Sequence, residues 1–195
     1  MTPPGIRRDR AMDARVGRTL TGVGLDPAAV IMVQAAHRLA MDTRKDRLLD
    51  SHHPDFLHPG RTVLVLALDC GFRNPIGLAA AALLESEHEG SRTELEVIRC
   101  TMGDEVADWV GSIPVPGPEL AEALLGTGRD VQVVALAERL DQCRHAKFWT
   151  DVSAKRRILE EVEAIYGPVA ERTLPALGRR FAHWSWAFGR SLDPS

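Results

Sequence analysis

The amino-acid sequence predicts an all-α fold, a compact multi-helix bundle of seven to ten helices. Apolar residues recur at helical spacing, as in Val30, Val33, Ala36 and Ala40, and again in Ile158, Val162 and Ile165. Helix-start pairs (Asp26-Pro27, Asn74-Pro75) and stop residues (Gly71, Gly90, Gly126) bracket the apolar stretches. No internal repeat or low-complexity tract interrupts them.

In order, the first 25 residues are basic and carry no predicted element, so 1–25 is expected to be a flexible segment ahead of one helical domain over 26–192. Asp26-Pro27 opens a helix that runs into the polar connector TRKDRLLDSHHPD. His58-Pro59 begins a second helix, RTVLVLALDCG, closed by Gly71; its β-branched content also suits a strand. Asn74-Pro75 starts the helix that ends in ESEHEG. Thr93 and Glu96 have capping-box spacing, so another helix begins there. Gly103-Asp104 separates it from EVADWVGSI, and PVPGP forms a rigid loop. A short helix over Pro118 to Leu125 stops at Gly126. Asp130 is positioned to cap VQVVALAERLDQCRHAKFW, although VQVV alone also suits a short strand. Lys155 to Tyr166 is amphipathic, and a last helix runs from about Val169 through FAHWSWAFGR.

The bulk numbers bound the function. The chain has 195 residues, 45% hydrophobic and 26% charged, and a net charge of −3. That balance is ordinary for a globular domain and asks for neither nucleic acid nor an anionic membrane. Cys70, Cys100 and Cys143 are far apart and odd in number, which argues against a disulfide framework. No run reaches the roughly 20 apolar residues of a membrane helix, and no apolar stretch follows the basic N-terminus as in a secretory signal. A cytoplasmic protein is expected.

Several clusters could carry chemistry. His52, His53 and His58 lie in or beside a polar connector; His58 is set apart by its place at a helix mouth before a proline, where it is either a turn residue or a ligand. Glu85, His88 and Glu89 share one helical face, which suits either a cation or a solvated helix end. Glu138 and Asp141 interrupt an apolar helix and call for a metal or an internal partner such as Arg139, Arg144 or Lys147. Arg44-Lys45 suits phosphates, and so does the basic stretch Arg7, Arg8 and Arg10. Phe181, Trp184, Trp186 and Phe188 read as core packing, with a dimer seam or a base-stacking platform as alternatives. The marks of P-loop, dinucleotide-binding, zincin and serine-hydrolase chemistry are absent from the sequence.

Four stretches in order, AAHRLAMDTRK, PDFLHPGR, AAALLESEHEG and LAERLDQCR, resemble the HD-domain hydrolase of the RelA/SpoT family and its small stand-alone alarmone hydrolases. Their family patterns are A-H-x-G-Q-x-R, P-Y-x-x-H-P, A-A-L-L-H-D-x-x-E-D and L-A-D-R-L-x-N-x-R. The connecting stretches SRTELEVIRCTMGDEVADWV and KRRILEEVEAIYGPVAERT agree as well, so the resemblance spans about residues 28–175. It implies an HD-domain-like helical bundle that removes the 3′-pyrophosphate of guanosine tetra- or pentaphosphate, using a metal that is usually manganese.

Carried over by position, His58 matches the first metal ligand and Glu89 the catalytic carboxylate that helps activate water. Glu85 and Ser86 stand where the His-Asp pair belongs, Gly90 replaces an Asp, Glu138 replaces the last ligand Asp, Gln142 an Asn, and Arg144 is kept. Ser86 is a poor ligand for a hard cation, and a Glu for Asp shifts the carboxylate by more than the roughly 0.2 Å that ligand distances tolerate. His88, one turn beyond Glu85, offers a rebuilt set of His58, Glu85, His88 and Glu138 for Mn, Fe or Zn. Arg44, Lys45 and Arg144 would hold base or phosphates. The expectation is an HD-type phosphohydrolase-like protein with an altered or lost metal site, metal-dependent if active. The alternative is an inactive nucleotide- or protein-binding regulator that needs no metal. The partner implied is a guanosine-polyphosphate-like nucleotide, with no nucleic acid and no membrane; an oligomer stays open.

Overall fold

In the computed structural model, residues 4–44, 57–84, 93–114 and 119–192 are described. They contain eleven α-helices and no strand, so the protein is all-α over these residues. Contacts gather in two units, Met1–Ser112 and Ile113–Ser195, where the sequence predicts one domain over 26–192.

In the first unit, α1 (Pro4–Gly22) occupies the stretch read from sequence as a flexible segment. Met12, Val16 and Leu20, four residues apart, are buried, and the helix packs on α2 (Pro27–Asp42) and α3 (His58–Leu64). The five arginines of α1 hide the apolar stripe in composition. Asp26 caps α2 by accepting from the Ala29 N–H at 3.0 Å, with Pro27 in the first turn. The helix begun by His58 continues as one wide turn over Val65–Asp69, marked by the Cys70 N–H donating to the Val65 carbonyl at 3.2 Å. It ends at Gly71, whose φ of +64° is a left-handed stop that favours glycine. VLVLAL is therefore helical rather than a strand.

Helix α4 (Pro75–Leu83) is the centre of this unit. Asn74 caps it, accepting from the Ile76 and Gly77 N–H groups at 3.0 and 3.3 Å. Every residue from Gly77 to Leu83 is buried, and the helix packs on α2, α3 and α6 (Asp104–Ser112). A helix apolar on all sides is stable only when it is covered on all sides. The box expected at Thr93 and Glu96 does not form: α5 (Leu95–Met102) starts one residue late, with Glu94 at the cap position and no side-chain cap bond. Gly103, at φ +93°, separates α5 from α6.

The second unit holds α7 (Leu120–Gly126), α8 (Arg129–His145), α9 (Val152–Glu161), α10 (Gly167–Thr173) and α11 (Pro175–Leu192). Gly128, not Asp130, takes the cap position of α8; Asp130 sits in the first turn, where its charge suits the helix dipole. VQVV lies inside α8. Asp151 caps α9 through the Ser153 and Ala154 N–H groups. The predicted last helix is two helices, because Leu174 is extended ahead of Pro175. Gly178 lets α11 approach α10 closely: a Cβ there would lie 2.8 Å from the Glu171 Cα.

Candidate functional site

Three polar residues of α2 gather around α1. Gln34, His37 and Arg38 share one face by their i, i+3, i+4 spacing. Gln34 Nε2 donates to the Asp13 carbonyl at 3.0 Å and to its carboxylate at 3.3 Å, and Arg38 pairs with that carboxylate at 3.3 Å. His37 is fully buried between two carboxylates one turn apart on α1: Nδ1 lies 3.6 Å from Asp13 and Nε2 lies 4.0 Å from Asp9. Both separations exceed an ordinary hydrogen bond but are within ion-pair range. Each ring nitrogen thus faces one carboxylate of α1. The His37 imidazole holds the Asp13 carboxyl below the usual carboxylate range, against the effect of its burial. Burial pushes the Asp9 carboxyl up despite the same imidazole. Glycines make room for this joint: a Cβ on Gly17 would lie 2.8 Å from Gln34 Nε2, and one on Gly60 would lie 3.1 Å from His37 Nε2.

His58 opens α3 and is 1% exposed, with Nε2 at 3.5 Å from the Thr62 hydroxyl. Arg44, just after α2, is also buried and donates to the Ala40 carbonyl at 2.9 Å. Both belong to the first unit, in which α3 and α2 each pack on α4. Helix α4 ends at Leu83, directly ahead of the Glu85 to Glu89 stretch.

In the second unit, α8 carries Glu138 and Arg144, both partly exposed, and a buried polar group between them. Arg139 is buried, donates to Gln142 Oε1 at 2.5 Å and lies 4.8 Å from the centre of the Tyr166 ring. Burial pushes the Tyr166 hydroxyl well above its usual pKa, against the pull of Arg139. Asp141 is buried, and its carbonyl and carboxylate lie 2.9 and 3.9 Å from His145 Nδ1. In this unit Arg139 is thus partnered by Gln142 and Tyr166, and Asp141 by His145.

Of the residues predicted for the site, Glu85, His88, Glu89 and Lys45 lie outside the described residues, as do His52 and His53. His58 and Arg44 fall in one unit, Glu138 and Arg144 in the other. Among the described residues no three His, Cys, Asp or Glu side chains assemble into a group able to hold a metal ion, so the described donors alone do not make a metal-binding set. The polar cluster of His37, Asp9 and Asp13 was not singled out from sequence. Its signal was there: all three positions fall in phase with the buried stripes of Val33, Ala36 and Ala40 on α2 and of Met12, Val16 and Leu20 on α1.

Among the described residues, no helix is long and apolar enough to cross a membrane. No family model matches the chain, and no curated protein matches it.

Proposed function

We propose that this chain is an HD-type phosphohydrolase-like protein, related to the guanosine tetra- and pentaphosphate 3′-pyrophosphohydrolases, with an altered or lost metal site. One observation supports the reading most. The helices that contain the described parts of the first three resembling stretches, α2, α3 and α4, pack on one another, and the buried His58 opens one of them. A buried imidazole at a helix start, beside the helix that leads into Glu85, is the arrangement the reading requires. In this reading His58, Glu85, His88 and Glu138 would hold Mn, Fe or Zn, and the ion would supply hydroxide near neutral pH. Glu89 positions water, while Arg44, Lys45 and Arg144 take the base and phosphates.

Ser86 at the position of the paired aspartate favours a second reading, a nucleotide-binding regulator without turnover. One experiment separates the two. The purified chain, with Mn²⁺, Fe²⁺ or Zn²⁺, is offered guanosine tetraphosphate, and both binding and pyrophosphate release are followed. Release abolished by His58→Ala and by His88→Ala supports hydrolysis; binding without release supports the regulator. Neither binding nor release contradicts both.

A further inference from the structure

Helix α11 has two faces of different chemistry. Leu177, Phe181 and Phe188 are buried. Arg179, His183, Trp186 and Arg190 are exposed, and their i, i+4, i+7, i+11 spacing sets them in one row. The row runs roughly 16 Å along the helix at 1.5 Å per residue. Trp186 is 61% exposed, yet its ring is held by both neighbours in the row: the His183 ring stacks on it at 6.3 Å between centroids, and the Arg190 guanidinium lies 5.1 Å from its centre. An indole ordered in this way and still open to solvent offers stacking area at little cost in side-chain entropy.

The charge of the helix points the same way. α11 contains three arginines and no Asp or Glu, in a chain whose net charge is −3. Among the described residues, neither Arg179 nor Arg190 makes an ion pair. Two guanidiniums without carboxylates, on either side of an open aromatic ring, match a ligand that alternates negative charge with flat rings. We propose that this row binds single-stranded nucleic acid, with Arg179 and Arg190 each meeting a phosphate and Trp186 stacking on a base. An anionic membrane fits less well, because the large apolar side chains of α11 other than Trp186 are buried or half-buried and give the row no apolar face to immerse. An acidic peptide would satisfy the arginines but not use the ring. The bulk charge gives no reason to expect nucleic acid; the charge of this one helix does, and binding is expected to be weak, in the range of roughly 10⁻⁴ to 10⁻⁶ M typical of non-specific contacts.

The test is fluorescence anisotropy of the full chain with a labelled oligothymidine across a salt series, alongside poly-glutamate and phosphatidylserine vesicles. Binding of the oligonucleotide at low salt is expected. Trp186→Ala should weaken it about tenfold without changing the salt slope, and Arg179→Gln and Arg190→Gln should each lower that slope by about 0.7. All three positions are exposed, and circular dichroism checks that the variants stay folded. No binding by the unaltered chain overturns the proposal, as does binding that all three variants leave unchanged. Arginine dependence without Trp186 dependence, with equal competition by poly-glutamate, assigns the row to acidic peptides instead. Preferential capture by the vesicles assigns it to a membrane surface instead.

Discussion

His37 on α2 lies 3.6 Å from Asp13 on α1, inside a joint from which water is excluded on the imidazole side. Those two residues are 24 positions apart, and they join the N-terminal helix to the helix that carries the first resembling stretch. Removing one partner of a buried pair leaves the other charge uncompensated. His37→Ala should therefore destabilise the chain by roughly 2 kcal/mol, below the 3–5 kcal/mol of a fully buried pair because both carboxylates are partly exposed. Urea unfolding at pH 7 measures it; a change below about 0.5 kcal/mol would mean that the joint does not depend on His37.

The two carboxylates give this joint opposite pH dependences. Asp13 has a folded pKa below its unfolded value of about 3.9, so its contribution is present above that value and is lost as pH falls through the folded pKa. Asp9 has a folded pKa above its unfolded value, so the folded chain loses stability as pH rises through the interval between the two. Unfolding of the unaltered chain, Asp13→Asn and Asp9→Asn from pH 3 to 7 separates them. The gap between the unaltered chain and Asp13→Asn should close as pH falls below about 3.9. The stability of the unaltered chain relative to Asp9→Asn should fall as pH rises above the same value. Parallel curves would contradict both assignments.

Gly60 sits where α3 meets both His37 and Met12. A Cβ at this position would overlap Met12 Cγ and lie 3.1 Å from His37 Nε2. Gly60→Ala should cost about 1–3 kcal/mol by overpacking, despite the better helix propensity of alanine. Adding Met12→Ala should recover part of that loss relative to Met12→Ala alone, a coupling read from a double-mutant cycle in urea.

Phe181 is fully buried in the second unit and stacks on Tyr166 at 6.3 Å between centroids. Phe181→Ala should destabilise by about 3–5 kcal/mol. Trp186→Ala, on the exposed face of the same helix, should change stability by no more than about 0.5 kcal/mol. Equal losses in thermal unfolding would contradict the two-faced description of α11.

What was legible in the sequence was what is local. Asp26 and Asn74 cap their helices because a short acceptor, a following proline and an apolar run lie within four residues. Phe181 and Phe188 belong to the core, as their spacing predicts, but Trp186 does not, since periodicity places a residue on a face without saying what covers that face. The break at Leu174 was hidden because apolar spacing continues from Val169 to Leu177 across it, and only Pro175 marks the stop. Thr93 and Glu96 have box spacing, yet the helix begins after Glu94, since a box describes a start that packing must also accept. The joint of His37 with Asp9 and Asp13 needed two helices to be brought together before any of its members had a partner. At the candidate site, the helix-start position of His58 followed from His-Pro but its burial did not, and Tyr166, whose ring faces Arg139 of α8, comes from another helical segment.

The proposed function rests on His58 and Arg44, both buried in the first unit, taking part in binding a guanosine polyphosphate. The most direct measurement is isothermal titration of the chain with guanosine tetraphosphate, with and without Mn²⁺, for the unaltered protein and for His58→Ala and Arg44→Ala. Saturable binding that Arg44→Ala weakens by tenfold or more is predicted, on the order of the loss of one charge-assisted phosphate contact; His58→Ala should weaken any dependence of that binding on Mn²⁺. No heat of binding in either condition, or binding indifferent to both substitutions, would contradict the account.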